Sequence, residues 1–188
     1  MMHELQSLID KNSSIPDGWI YIGNDQERYV LGQPGKRNLL VFGVNPSTAV
    51  AGKDDPTIRK VRSISKHDGY DGWIMVNLYP VISTDPNQLP EEADSQIVKN
   101  NLEVLCAIAN SYYIDRIWAA WGDIIEKRGY LGSILYDVQE ALYCIDAEWF
   151  YRGSLTKRGN PRHPLYMKLE ESLNMFPVAD YASIWKTF

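Results

Sequence analysis

The sequence predicts an α/β fold in which a mostly parallel central sheet lies between two layers of helices. Short, nearly continuous apolar runs alternate along the chain with longer segments of helical periodicity, and this alternation is typical of strands joined by helical crossovers. The runs at residues 39–44, 73–78 and 116–121 are expected of strands that are buried on both faces. Parallel strands require such crossovers, so a three-layer α/β/α domain is predicted.

The length and composition are those of one folded domain. The chain has 188 residues, of which 45% are hydrophobic and 23% are charged, and a single core commonly serves about 100–200 residues. We therefore expect one domain over residues 1–188, with an N-terminal helix and hairpin at 1–37, an α/β core at 38–175 and a C-terminal segment at 176–188.

The remaining elements are predicted in chain order around these strands. An opening helix at residues 2–11 precedes a hairpin, whose strands at 19–22 and 28–31 flank Asn24 and Asp25. Helical patterns cover residues 56–66, 92–111 and 123–142, a fourth strand covers 148–151, and a last helix begins at Pro164. Parallel sheets bind ligands beyond the carboxyl ends of their strands, so the loops after residues 44, 77, 121 and 151 are expected to meet.

Charge and cysteine content argue against several classes of protein. The net charge of −5 and the pI near 5.2 disfavour nonspecific coating of nucleic acid, which depends on neutralising phosphates. Cys106 and Cys144 have no Cys/His cluster around them, so we expect no metal and no cofactor. The sequence shows no secretory leader and no run of roughly 18 apolar residues, so a cytoplasmic protein that does not bind membranes is expected.

The segment at residues 43–47 supplies the first candidate site residues. Its sequence, GVNPS, follows a predicted strand and offers the Asn45 amide, the Ser47 hydroxyl and backbone donors at a sharp turn. An ordinary strand exit is the alternative, because Asn, Pro and Ser favour turns for local reasons. The motifs GxGxxG and GxxxxGK[ST] do not occur, which disfavours a Rossmann or Walker nucleotide site.

A basic segment at residues 149–168 supplies further candidates. It has no acidic residue, and its cations are Arg152, Lys157, Arg158, Arg162 and Lys168. A helix beginning at Pro164 would add free N–H groups and the positive end of its dipole beside His163, which suits a phosphate or an anionic base. A solvated loop is the alternative, in which His163 only caps or packs.

Three more side chains are candidates because of their positions. Arg59 lies on a predicted helix with Arg62 and Lys66 at three- and four-residue spacings, so that face could contact phosphates or be plain solvated surface. Tyr79 and Trp121 end predicted strands, where an aromatic ring could stack on a base. Core packing is the alternative for both rings.

Four segments, in this order, resemble motifs of the uracil-DNA glycosylase superfamily, and most closely its mismatch-specific branch. They are GVNP at 43–46, VNLYP at 76–80, WAAWG at 118–122 and HPLY at 163–166. With Asp-Pro-Thr at 55–57 added, the same blocks resemble still more closely a bacterial and phage family called domain of unknown function 1643. That family carries no assigned activity.

The glycosylase resemblance implies a fold and a set of residue roles. It implies a uracil-DNA glycosylase-like domain in which Asn45 positions a water against the sugar C1′ and His163 hydrogen-bonds the departing base. Asn77 would pair with a base edge. Because asparagine cannot accept the proton as a general base, such a reaction would depend on an oxocarbenium-like transition state. A duplex substrate would have to present its base flipped out of the stack.

These features lead to one expected function and two alternatives. We expect a protein that acts on a nucleobase, nucleotide or nucleic acid by hydrolysing a glycosidic bond, as in DNA modification or repair. Asn45 and His163 are expected to be catalytic, and the expected substrate-binding residues are Ser47, Asn77, Tyr79, Trp121, Arg158 and Arg162. Arg59, Arg152 and Lys157 are candidates for binding phosphate. The alternatives are a noncatalytic binding module, and phosphate or diphosphate transfer at a modified pyrimidine.

Overall fold

A computed structural model describes residues 15–185, and these residues fold around one seven-stranded sheet. The strands are β1 (Ile20–Gly23), β2 (Arg28–Gln33), β3 (Asn38–Gly43), β4 (Gly72–Asn77), β5 (Ile114–Ala119), β6 (Glu148–Arg152) and β7 (Leu173–Met175). The α-helices are α1 (Pro56–His67), α2 (Ser95–Ser111), α3 (Gly129–Ala141) and α4 (Val178–Ser183). Short 3-10 helices cover Pro86–Gln88, Gly122–Lys127, Leu142–Cys144 and Pro164–Tyr166. The helix predicted at residues 2–11 lies outside the described residues.

The sheet is mixed, and the prediction of a mostly parallel sheet is wrong. Its strand order is β1-β2-β4-β3-β5-β6-β7. Strands β4, β3, β5 and β6 are parallel, whereas β1, β2 and β7 pair antiparallel with their neighbours. The hairpin around Asn24 adds β1 and β2 to one edge, and β7 runs back along β6 at the other. The alternation of strands with helical crossovers therefore describes only the four central strands.

The chain after Pro164 also departs from its prediction. Instead of a last helix, only the single 3-10 turn Pro164–Tyr166 forms there. Arg152 of β6 donates from Nη1 to the carbonyls of Leu169 and Glu171 at 2.9 and 2.7 Å, which holds the chain in an irregular path before β7. A single turn aligns too few peptide dipoles to make the anion site that the sequence predicted at this helix start.

Side chains of the central strands alternate between two apolar clusters, one on each face of the sheet. Leu40 and Phe42 of β3 belong to the larger cluster, together with apolar residues of α2 and α3. Leu39 and Val41 belong to the smaller cluster, together with the apolar residues of α1. Because successive side chains of a strand point to opposite faces, α1 covers one face of the sheet, and α2 and α3 cover the other.

The strand order creates a crevice at the carboxyl ends of β3 and β5. From β3 the chain passes to β4 on one side, and later to β5 on the other side. Ligands of open α/β sheets bind where the strand order reverses in this way. The Ala120 N–H donates to the Phe42 carbonyl at 2.9 Å, so the two strand exits remain adjacent.

Two features, a membrane-spanning helix and a metal-binding cluster, are absent from residues 15–185. No helix within these residues has the length and apolar character to cross a membrane. Over the same part of the chain, no three His, Cys, Asp or Glu side chains are grouped so that they could hold a metal ion.

Candidate functional site

A small cavity, which we call the deep cavity, opens at the carboxyl ends of β3 and β5. Its volume is about 60 Å³, which gives room for roughly four water-sized spheres. The apolar part of its wall includes Gly43, Met75 and Trp121, and its polar wall consists of Arg28, Asn45, Ser47, Asp55, Thr57 and His163. Side chains that are far apart in the sequence therefore surround one small, polar space.

Asn45 is held so that its amide oxygen remains available to a ligand. Its Nδ2 donates to the carbonyls of Ser83 and Pro46 at 2.9 and 3.1 Å. Because carbonyl oxygens only accept, these two bonds fix which end of the carboxamide is nitrogen. Oδ1 accepts no hydrogen bond from the described residues, so it can accept one from a water or a substrate in the cavity.

His163 presents a neutral imidazole to the cavity. Its Nδ1 accepts a hydrogen bond from the Leu165 N–H at 3.4 Å, so the neutral ring carries its proton on Nε2. Burial lowers the pKa of His163, and the Asp55 carboxylate only partly offsets this. At pH 7 the ring is therefore neutral, and Nε2–H is its hydrogen-bond donor.

Gly122 ties the exit of β5 to the histidine segment. Its φ of +64° lies in the left-handed region, which glycine adopts without steric cost. The Gly122 N–H donates to the Pro161 carbonyl at 2.8 Å, and a Cβ at this position would lie 3.5 Å from the Cβ of His163. The backbone at the exit of β5 thus helps to set the position of the His163 side chain.

Arg28 is a polar wall residue that the sequence analysis did not select. It lies on β2 and is only 3% exposed. Its Nη1 donates to the Ala49 carbonyl at 2.5 Å, but its Nε has no hydrogen-bond partner among the described residues. Burial lowers the pKa of Arg28, and the negative charge of Asp55 partly offsets this.

Asp55 is the second missed residue, and it caps α1. Its Oδ1 accepts from the Ile58 N–H at 2.8 Å, and Pro56 follows it in the first turn. The sequence signal for Asp55 was present, since an Asp-Pro pair marks a helix start, but that signal gives no hint of a ligand. An arginine at the head of an apolar strand was the only sequence signal for Arg28.

A larger and more open cavity, which we call the outer basin, adjoins the deep cavity. Its volume is about 880 Å³, and His163 and Ile124 line both cavities. Its charged lining residues are the cations Lys127, Lys157, Arg158 and Arg162 and one carboxylate, that of Asp123, and it also includes Leu165 and Tyr166. The Tyr166 side chain is accessible, since the residue is 73% exposed. A small polar cavity and a positively charged basin therefore meet at His163.

Hydrogen bonds to acidic residues hold the basic loop after β6 in place. Asp123 accepts from Thr156 Oγ1 at 2.6 Å and from Asn160 Nδ2 at 2.8 Å, and the Thr156 bond is the main cause that lowers the pKa of Asp123. Arg158 forms an ion pair with Glu126. Among the ion pairs of residues 15–185, none involves Lys157 or Arg162. Of the three cations that this loop contributes to the basin, Lys157 and Arg162 are thus less neutralised than Arg158.

Asn77 lies beside the deep cavity but does not line it. It is 1% exposed, and neither atom of its carboxamide has a hydrogen-bond partner among the described residues. A Cβ on Gly43 would lie 2.8 Å from the Asn77 Oδ1, so the carboxamide packs directly behind this glycine. The absence of a side chain at Gly43 accommodates Asn77 at the end of β4.

Three other predicted site residues line neither cavity. Tyr79 is buried, its hydroxyl accepts from the Asp94 N–H at 3.1 Å, and its ring packs against Tyr130. Arg152 is 2% exposed and forms an ion pair with Asp68. Arg59 is exposed and donates to the Asp54 carbonyl at 3.0 Å. Tyr79 therefore packs in the core, Arg152 supports the chain between β6 and β7, and Arg59 contacts the segment just before α1.

Comparison with known proteins identifies the family of the chain. The model of a family described as protein of unknown function (DUF1643) matches residues 28–165, which is most of the chain. The chain belongs to this family. No curated protein and no solved structure matches this chain.

The DUF1643 segment contains every polar residue of the deep cavity. It begins at Arg28 and ends just beyond His163. Of the residues that the sequence predicted for the site, the structure brings Asn45, Ser47, Trp121 and His163 together in the deep cavity. It brings Lys157, Arg158 and Arg162 together in the outer basin.

Proposed function

We propose that this protein hydrolyses a glycosidic bond of a nucleotide or nucleic acid, with the nucleobase in the deep cavity and the phosphates in the outer basin. The observation that carries the proposal is the junction at His163, which lines both cavities. A nucleotide has a small uncharged ring at one end and an anionic group at the other. A small polar cavity beside a basin with four cations matches that distribution of charge.

In this proposal Asn45 orients the attacking water. Its Oδ1 is fixed by the two hydrogen bonds from Nδ2 and accepts a hydrogen bond from the water that approaches the sugar C1′. An amide does not take up the proton, so departure of the base must precede most of the bond formation to water. After the water adds to C1′ it loses a proton to solvent, and the released base anion takes up a proton from solvent. The reaction therefore depends chiefly on stabilising the leaving base.

His163 stabilises that leaving base. Negative charge develops on a carbonyl oxygen of the base as the glycosidic bond breaks, and the Nε2–H of the neutral imidazole donates to it. A fixed donor in a partly buried site is most effective against charge that develops in the transition state. The depressed pKa of His163 supports a hydrogen-bond donor rather than a general acid.

A uracil-DNA glycosylase-like, three-layer arrangement is part of the same proposal. Support comes from the four central parallel strands, from the helices on both faces and from the order of the four motifs along the chain. On this proposal the protein modifies or repairs nucleic acid.

The test is direct detection of a released base. The protein is incubated with nucleotides and with single-stranded and duplex DNA that carries uracil, mismatched thymine or modified pyrimidines, and free bases are measured by mass spectrometry. Asn45→Ala and His163→Ala should each lower the rate by about a hundredfold or more. Asn110→Ala, on the exposed end of α2, is the control and should keep the wild-type rate. Tight binding of these ligands without release of any base would replace the proposal with a noncatalytic binding module.

A further inference from the structure

Arg28 and Asp55 line the deep cavity, yet the proposed hydrolysis gives neither of them a role. Arg28 is buried, and within residues 15–185 its side chain makes one hydrogen bond, to the Ala49 carbonyl. Its guanidinium carries five N–H donors, so most of its donors are left for other partners. A buried charged group with unpaired donors lowers the stability of the folded state. Binding of a ligand to these donors would explain why an arginine lies at this position.

The two side chains are near each other but are not joined. The charge of Asp55 acts on Arg28 electrostatically, and within the described residues no ion pair connects them. Asp55 uses Oδ1 to cap α1, which leaves its second oxygen. The wall of the same cavity thus includes a planar donor group and a carboxylate acceptor.

The balance of charge in the deep cavity favours a neutral ligand. Its polar wall has one positive and one negative side chain, and the others are the uncharged Asn45, Ser47, Thr57 and the neutral His163. A phosphate would meet the Asp55 carboxylate, and a cation would meet Arg28. A neutral group that carries both a carbonyl and an N–H satisfies both residues, and the volume of about 60 Å³ suits a single ring.

We propose that Arg28 and Asp55 recognise the lactam or imide edge of a single-ring nucleobase. The Arg28 guanidinium donates to a ring carbonyl, and the Asp55 carboxylate accepts from the adjacent ring N–H. This inference rests on the proposed placement of a base in the deep cavity. Two residues of the cavity wall would thus recognise the base edge. The sequence suggested Asn77 for this task, but Asn77 lies behind Gly43.

The inference is tested with ligands that contain no glycosidic bond, so that binding is measured apart from hydrolysis. 1-Methyluracil carries the complete edge, and 1,3-dimethyluracil lacks its N–H. Titration calorimetry of the wild-type protein should show a loss of tenfold to about a hundredfold in affinity on the second methylation, the usual effect of leaving a buried partner unpaired. Inorganic phosphate should not displace 1-methyluracil.

A variant separates the lost hydrogen bond from crowding by the added methyl group. Asp55→Asn preserves the cap of α1, because asparagine is an equally good N-cap residue, but it turns an amide N–H₂ toward the ligand in place of the carboxylate oxygen. The two uracils should then bind within about threefold of each other. Asp94→Asn makes the same change at the cap of α2, away from the cavity, and should keep the discrimination of the wild type.

Four results would contradict recognition of the base edge by Arg28 and Asp55. Equal affinity of the wild type for the two uracils, no binding of 1-methyluracil, displacement by phosphate, or unchanged discrimination in Asp55→Asn would each overturn the inference. If Asp55→Asn does not fold, the comparison of the two ligands on the wild-type protein still decides. Release of a base without this discrimination would overturn the inference alone, and discrimination without any release would overturn the hydrolysis alone.

Discussion

Single residues at the junction of the two cavities carry most of the proposed chemistry. Hydrogen bonds to carbonyls orient Asn45, and burial keeps His163 neutral. Gly122 holds the exit of β5 against His163 by means of a left-handed backbone. Two of these local properties, a pKa and a backbone dihedral, lead to predictions that need no knowledge of the substrate.

The first prediction concerns the stability of the protein at acid pH. The pKa of His163 is lowered in the folded state, so the unfolded state binds a proton more readily. The free energy of unfolding should therefore fall as the pH drops below about 6.5, the ordinary value for histidine, and continue to fall until the lowered pKa of His163 is passed. Urea unfolding from pH 7.5 to 5 measures this, with His163→Gln as the variant that does not titrate there.

The difference between wild type and His163→Gln should shrink as the pH falls. His67→Gln removes an exposed imidazole, 47% accessible at its side chain, and serves as the matched control. Parallel curves for wild type and His163→Gln over the whole range would contradict the buried, neutral assignment of His163.

The second prediction concerns Gly122. Gly122→Ala should lower the free energy of unfolding by about 1–2 kcal/mol, because an alanine with φ near +64° carries the cost of the left-handed conformation. Gly129→Ala is the control, since its Cβ would meet nothing within 4 Å and it lies at the start of α3, where alanine is favourable. Thermal or urea unfolding of both variants checks the difference. Equal stabilities would show that Gly122 is not constrained in the way described.

At the level of elements, the apolar runs of the central strands were the most informative part of the sequence. Three of the four central strands were predicted from apolar runs alone, because burial on both faces leaves a pattern that needs no tertiary information. The helix expected from Pro164 failed for a tertiary reason. Arg152 binds the carbonyls of residues 169 and 171, and the sequence does not reveal this long-range contact.

The third prediction belongs to the basic loop after β6. Lys157→Ala and Arg162→Ala should weaken binding of a short single-stranded oligonucleotide, and each should reduce the dependence of affinity on salt by roughly one phosphate contact. Arg158→Ala should have the smaller effect, because Glu126 already pairs with Arg158. Lys99→Ala, on the exposed face of α2, is the control. Fluorescence titrations at several salt concentrations measure the slopes, and slopes equal to the wild type in all variants would contradict a phosphate-binding basin.

Across the whole molecule, the strand order explains why distant residues meet. The strand order reverses at β3, since β4 is added on one side of it and β5 on the other. This reversal brings the loops after β3 and β5 to one crevice, as the rule for α/β sheets predicted from the sequence. The mixed edges were not predictable in the same way, since β2 and β7 join the sheet through pairings that their own residues do not specify. Arg28 reaches the site from β2, one of those antiparallel strands, so its place there could not be predicted from the sequence.

The most direct test of the account is a crystal structure with a pyrimidine nucleoside monophosphate bound. We expect the base to occupy the deep cavity, with its edge at hydrogen-bond distance from Arg28 and Asp55 and its glycosidic bond beside Asn45 and His163. The phosphate should lie in the outer basin, in contact with Lys157 or Arg162. A phosphate seated on Arg28, or a base held outside against Tyr166 with the deep cavity untouched, would contradict it.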